Sequence, residues 1–217
     1  MFFDRVDAGK QLIAKLQIYK EDKPVLLALP RGGVMVAFPI ARSFRLPLSV
    51  LIVRKIGSPE NPEYGIGAVS ENDVILKDTD AIERIGLSEE VFRSLQKKEL
   101  EELKRRRAVY RNDEAIPSLK GKIVILIDDG LATGVTARAA IETIKKHKPS
   151  QLIFVVPVAA IETAKLLIRE VDEFISLTAV DELGSIGSYY ENFSEVTDEQ
   201  VVQMLSYLQT TFSESPR

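Results

Sequence analysis

Apolar positions along this chain follow two periods. Ala8, Leu12, Leu16 and Tyr19 share one side of a helical wheel, so Asp7 to Tyr19 is expected to be an amphipathic helix. Val25 to Leu29 is apolar without interruption and stops at Pro30, as in a short strand buried on both faces. Val34 to Phe44 reads as a helix packed on a sheet, with Pro39 as a disfavoured interior residue. Leu48 to Val53 is the next expected strand. From Arg54 to Asn72 the pattern lapses, and Gly57, Pro59, Pro62, Gly65 and Gly67 mark an irregular stretch. Within it, Ile66 to Ser70 is placed to close a hairpin with Val74 to Leu76. Ser88 to Arg111 reads as a long charged helix. Strand 123–127, helix 136–147, strand 152–156, helix 160–170 and strand 173–177 then alternate. Such alternation predicts an α/β fold of parallel βαβ units with right-handed crossovers.

After residue 180 the character changes. Gly184 to Phe193 is rich in Gly, Ser and aromatic residues, and Asp198 to Leu208 is expected to be a terminal helix. The order of elements predicts one domain over 1–217, with a core of about 1–178 and the tail 180–217 as an elaborated edge.

The chemistry concentrates where the strand 123–127 ends. Two carboxylates, Asp128 and Asp129, follow at once, and then a loop closing in Thr133-Gly134-Val135-Thr136 before a helix-prone run. The backbone N–H groups and the Thr133 and Thr136 hydroxyls can hold a phosphate at a helix N-terminus, where the dipole favours anions. The two carboxylates can accept hydrogen bonds from vicinal ribose hydroxyls. A strand, an acid pair and a phosphate-sized nest together suit a sugar phosphate.

This segment resembles the motif by which type I phosphoribosyltransferases bind 5-phosphoribosyl-1-pyrophosphate (PRPP): an apolar run, two acids, three variable positions, then Thr-Gly-x-Thr. The resemblance implies a mostly parallel, Rossmann-like sheet flanked by helices, with a small hood to which the tail 180–217 contributes. It implies displacement of pyrophosphate from C1 of PRPP by a nitrogen acceptor, typically a nucleobase, with Mg²⁺ as the cofactor. Asp128 and Asp129 would hold the ribose diol and help bind the metal, and Ala132, Thr133, Gly134, Val135 and Thr136 would anchor the 5-phosphate. Leu29-Pro30-Arg31-Gly32-Gly33, following its own strand, resembles the pyrophosphate loop of the same family. Arg31, Gly32 and Gly33 are therefore expected at the leaving group. Lys55, next to Arg54, is a further expected catalytic cation, with the 55–72 stretch as a lid. Asn61 to Val69 resembles a poorly characterised bacterial subgroup of the family. Enzymes acting on 6-oxopurines commonly carry Asp just before the Thr-Gly-x-Thr threonine. Ala132 stands there, so a 6-oxopurine acceptor is disfavoured. By analogy, family members often form homodimers.

Composition narrows the alternatives. The 217 residues include no cysteine, which excludes disulfides, thiol catalysis and thiolate zinc sites. A net charge of −3 gives no global attraction to nucleic acid or anionic membrane. The N-terminus lacks the pattern of a secretory signal, and no apolar run reaches membrane-spanning length, so the expected address is the cytoplasm. The basic run Lys104 to Arg111 is the one support for an alternative, a PRPP- or nucleotide-sensing regulator that binds nucleic acid. Glu101 and Glu102 stand one turn before Arg105 and Arg106, so a solvated, self-paired helix face is the expectation. His147, the sole histidine, is expected at a helix end as a dipole partner. Tyr189, Tyr190 and Phe193 either stack on a base or pack the tail against the body.

Overall fold

The computed structural model describes residues 1–62 and 64–213. Its main sheet has five parallel strands: β1 (Val25–Ala28), β2 (Leu48–Val50), β6 (Ile123–Ile127), β7 (Gln151–Ala160) and β8 (Glu173–Val180), in the order β2-β1-β6-β7-β8. Side-chain alternation divides the apolar strands between two faces. Leu26, Ala28, Ile125, Ile127, Ile153 and Val155 point to the face covered by α1 (Arg5–Leu16), α2 (Gly32–Phe44) and α7 (Asp198–Ser213). Leu27, Val124, Leu126, Leu152, Phe154 and Val156 point to the other, under α5 (Val135–Lys146) and α6 (Ile161–Leu167). Both faces being covered explains why these strands read as unbroken apolar runs.

A second layer is built from residues 53–111. The chain leaves the parallel sheet after Val50 and re-forms as β3 (Val53–Gly57), which joins β4 (Gly65–Ser70) and β5 (Val74–Lys77) in an antiparallel sheet of three strands. After α3 (Thr79–Arg84), α4 (Glu89–Arg111) packs across it through Phe92 and Leu103. Ser88 caps α4, its Oγ accepting from Val91 N at 3.3 Å.

Two expectations are corrected here. The strand 48–53 is two strands in different sheets, and the irregular stretch 54–72 is mostly β3 and β4. Its glycines mark close packing. A Cβ on Gly67 would stand 2.5 Å from Leu76 O and 3.3 Å from the Phe92 ring. Of the expected 55–72 lid, 58–64 and the turn residues 71–72 connect strands, and Glu63 lies outside the described residues, as do 214–217 of the tail. The hairpin of 66–70 with 74–76 is present as β4 and β5. The first helix ends at Leu16, and Tyr19 is buried in a following 3₁₀ turn, Gln17–Asp22. Pro39 sits inside α2 without interrupting it. Among the described residues, no helix is long and apolar enough to cross a membrane.

The joint between the sheets depends on one buried ion pair. Departure from the ladder leaves Ile52 N without a strand partner, and Glu71 Oε1 accepts from it at 2.9 Å. The other Glu71 oxygen takes a hydrogen bond from Arg111 at the end of α4, whose Nη1 also donates to Val50 O at 3.2 Å. The side chains are 8% and 6% exposed. Removing Arg111 would leave a buried carboxylate uncompensated. Arg111→Met is expected to cost about 3–5 kcal/mol in urea unfolding. Arg111→Met with Glu71→Gln should recover part of that loss, because Gln keeps the acceptor for Ile52 N and carries no charge. A single variant within about 0.5 kcal/mol of the parent would contradict this account.

Candidate functional site

In a parallel sheet every strand ends on the same side, so loops distant in sequence converge there. β1 and β6 are neighbours, in register from Val25↔Val124 to Ala28↔Ile127. The ladder runs one bond further, with Leu29 N donating to Ile127 O at 2.9 Å. The segment Arg31 to Gly33 and the acid pair are thereby pressed together. A Cβ on Gly33 would lie 2.7 Å from Ile127 O, and one on Gly32 would lie 1.8 Å from Asp129 Oδ2. Only glycine permits this approach. The Pro30–Arg31 peptide bond is cis, and Arg31 occupies the N-cap position of α2.

The two carboxylates differ in their surroundings. Asp128 Oδ1 accepts from Asp129 N at 2.8 Å. Burial, reinforced by the Asp129 charge, pushes the Asp128 carboxyl well above the usual carboxylate range. Asp129 Oδ2 accepts from Arg5 Nε at 2.7 Å, in a pair whose side chains are 15% and 11% exposed. Arg5 was not expected from the sequence. It is the first residue of α1, and nothing in its local pattern marks the contact, which is made by the fold.

The tail lies over the pair. Tyr190 donates from its hydroxyl to Asp129 O at 2.6 Å, while Ile186 packs where a Cβ on Gly130 would come within 2.6 Å. Burial first, then the Asp129 charge, holds the Tyr190 phenol protonated far above its ordinary range. Tyr190 is buried against Phe2 and Phe193, with ring centroids 5.4 and 5.1 Å apart, so it packs the tail against the body. Phe193 remains partly exposed, under the Arg5 guanidinium at 3.6 Å.

The loop 132–136 stands beside the pair at the start of α5. Gly134 has φ 76° and is the N-cap, and no side chain caps this helix start. Its leading N–H groups are therefore left without a side-chain acceptor, as an anion-binding helix start requires. Thr163 Oγ1 donates to Ala132 O at 2.5 Å and braces the loop from α6. A cleft of about 320 Å³ runs from Thr133, Val135 and Arg138 to Lys77 through Asp80 of the second layer. Another of about 360 Å³ is lined by Arg5, Arg31, Gly32, Phe193, Glu195 and Val196.

The expected residues thus fall into three groups. Gly32 and Gly33 lie against Asp129 and Asp128, with Arg31 preceding them in the same loop, and Ala132, Thr133, Gly134, Val135 and Thr136 occupy the adjoining loop. Arg31 is turned toward the tail, with Nη2 2.6 Å from Glu195 Oε1 and Nη1 3.9 Å from Asp198 Oδ1. Lys55 lies on β3 with its stem against Gly65, near Val135, and so sits on the α5 side of the site, apart from the Arg31 loop. Among the described residues, no cluster of three or more His, Asp or Glu side chains could hold a metal ion. Two adjacent carboxylates nevertheless suit Mg²⁺, which keeps most of its waters and takes its other oxygens from a phosphate substrate.

The basic run on α4 is self-paired. Glu102 binds Arg105 at 2.7 Å and Arg106 at 2.8 Å, Arg105 also reaches Asp198 at 2.9 Å, and Arg107 pairs with Asp113. The Arg105 hydrogen bond, with that from Arg106, outweighs burial and holds the Glu102 carboxyl down to about 2. His147 ends α5 and places Nε2 2.6 Å from Asn72 Nδ2, far in the chain from the acid pair.

Asp128 bears on stability. Its folded-state affinity for a proton exceeds that of the unfolded chain, so the stability it contributes at low pH is lost as pH rises from the usual carboxylate range through the raised value. Asp128→Asn should therefore melt higher than the parent at neutral pH without divalent cations. The gain should fade in calorimetric melts as pH falls through the raised value into the usual carboxylate range, where both side chains become neutral.

Comparison with known proteins places this geometry. A family model described as the phosphoribosyl transferase domain matches residues 4–183. Proteins of two Mycobacterium tuberculosis strains, provisionally named phosphoribosyl transferases, are 35% identical over 215 residues, covering 99% of this chain and 48% of theirs. The chain spans about half the length of these curated relatives. The crystal structure of TT1426 from Thermus thermophilus superposes with a TM-score of 0.78 at 34% identity, covering 96% of this chain and 99% of that one. A Neisseria gonorrhoeae protein crystallised with bound ppGpp shares the fold alone, at TM-score 0.52 and 13% identity, over 95% of this chain and 96% of that one. With its acid pair, its Gly-Gly loop and the nest at α5 carried on a five-stranded parallel sheet, this chain belongs to the phosphoribosyl transferase domain family.

Proposed function

We propose that this protein transfers the 5-phosphoribosyl group of PRPP to a nitrogen acceptor, a nucleobase other than a 6-oxopurine, with release of pyrophosphate. The observation that carries the reading is the contact between the Arg31–Gly33 loop and the Asp128–Asp129 pair, beside an uncapped α5 N-terminus. Together they offer a diol site, a pyrophosphate site and a 5-phosphate site at the spacing of adjacent loops.

Each part has a physical role. The N–H groups of residues 133–136 and the Thr133 and Thr136 hydroxyls take the 5-phosphate, and this remote binding supports the conformation needed at C1. Asp128 and Asp129 accept hydrogen bonds from the ribose hydroxyls and keep negative charge near C1, where an oxocarbenium-like transition state develops positive charge. Arg31 and the Gly32-Gly33 backbone stabilise the departing pyrophosphate, for which Arg31 must exchange its exposed partner Glu195. Mg²⁺, carried in with the pyrophosphate and met by the acid pair, would neutralise charge on the leaving group. Lys55, on the α5 side, adds positive potential close to the 5-phosphate loop. Ala132 offers the acceptor no side-chain hydrogen bond, so its recognition falls to backbone groups and to the tail. A phosphorylated, charged substrate belongs to the compartment that makes it, which supports a cytoplasmic address.

The nucleic-acid-binding regulator has little support, because the four arginines of its basic run are already paired with carboxylates.

Asp128→Asn combined with Asp129→Asn should abolish PRPP binding in calorimetric titration with Mg²⁺ while the circular dichroism spectrum stays that of the parent. Retained affinity in the folded double variant would sink the site assignment. Arg31→Ala should weaken PRPP and pyrophosphate by about tenfold or more and leave ribose 5-phosphate nearly unchanged. Equal losses would remove Arg31 from the leaving-group site. Pyrophosphate release across a panel of bases identifies the acceptor, and binding of PRPP without release for any base would favour a sensor.

A further inference from the structure

Arg5 has no role in the reading above, yet it stands inside the site. Where Gly32 would carry a Cβ, Arg5 Nε is 3.0 Å away and Asp129 Oδ2 1.8 Å away, so loop, acid and guanidinium meet at one point. Arg5 and Arg31 line the same cleft of about 360 Å³. Arg5 is also held rigidly. Nε is bonded to Asp129 at 2.7 Å, Nη1 to Ser194 O at 3.0 Å, and the guanidinium plane rests on Phe193 at 3.6 Å. Among the described residues, its Nη2 makes no hydrogen bond.

We propose that Arg5 is a second guanidinium of the pyrophosphate site, a substrate-binding residue supplied by the N-terminal helix. This rests on the phosphoribosyltransferase reading and deepens it. A diphosphate group has more oxygens than Arg31, two backbone amides and one Mg²⁺ would occupy, so a further donor can be used. A planar guanidinium can keep Nε on a carboxylate while it offers its remaining N–H donors to a phosphate oxygen. Arg5 has that arrangement in this structure, with Asp129 holding it beside the loop. In the part-buried cleft its charge is screened less than a surface charge would be. Arg5 also couples the two halves of the substrate, since the carboxylate that orients it is the one assigned to the ribose diol.

The competing explanation is that Arg5 only tethers the tail, through Ser194 and Phe193, to the body. Calorimetric titration of Arg5→Gln and Arg5→Lys with Mg²⁺–pyrophosphate, Mg²⁺–PRPP and ribose 5-phosphate separates the two. A ligand role predicts that Arg5→Gln weakens pyrophosphate and PRPP by about tenfold or more, with ribose 5-phosphate within about twofold. Arg5→Lys, which keeps the charge and loses the fork, should fall between. Unchanged pyrophosphate affinity in folded Arg5→Gln would overturn the proposal. Equal weakening of all three ligands with a lowered melting temperature would do so too, and would leave the tether. Should Arg5→Gln fail to fold, Arg5→Lys decides: loss selective for pyrophosphate supports the ligand role, and parental affinity overturns it. Parent protein that binds ribose 5-phosphate and not pyrophosphate would defeat the Arg5 assignment alone. Parent protein that binds none of the three would defeat the phosphoribosyltransferase reading with it.

Discussion

The parallel pairing of β1 with β6 is the constraint from which the site follows. Each strand is short, buried on both faces and fixed by hydrogen bonds that continue through Leu29 N to Ile127 O. A slip of one residue would exchange the two faces of Leu26, Leu27, Ile125 and Leu126, so the register is held by burial as well as by the ladder. With the register set, the residues after β1 and after β6 have no freedom to separate. Gly32 and Gly33 must lie against Asp128 and Asp129.

Placing two carboxylates side by side at the mouth of a core opposes folding, and the structure answers with unequal surroundings. Asp129 receives a cation, Arg5, and Asp128 receives a backbone N–H and a raised proton affinity. The tail completes the arrangement. Tyr190, Phe193 and Ser194 hold the acid pair and Arg5 from outside, and Glu195 occupies Arg31. The two cations thus differ: Arg31 is met by an exposed carboxylate, Glu195, that is cheap to displace, and Arg5 by the part-buried Asp129.

The second layer solves a different problem. A strand that leaves one sheet to start another abandons a backbone donor, and here Glu71 and Arg111 meet that loss with a buried pair. This fastens α4 to the joint and keeps the small sheet beside α5, where Lys55 and the cleft lined by Lys77 adjoin the loop 132–136.

Much of this could be read from the chain alone. Apolar runs at 25–29, 123–127 and 152–156, with helical stretches between them, specify parallel strands covered on both faces, and an acid pair followed by Thr133-Gly134-Val135-Thr136 is local chemistry that needs no partner to be recognised. What the sequence could not reveal depends on contacts between distant segments. Gly67 looked like part of a loose loop because its reason, the approach of Leu76 and Phe92, lies elsewhere in the chain. The run 48–53 looked like one strand because nothing local marks the passage from one sheet to the other. Arg5 lay ahead of the expected helix 7–19, with no local pattern to mark it. Patterning records which residues are buried and on which face, whereas the partner of a particular charge is settled only when the strands pair and the tail closes over them.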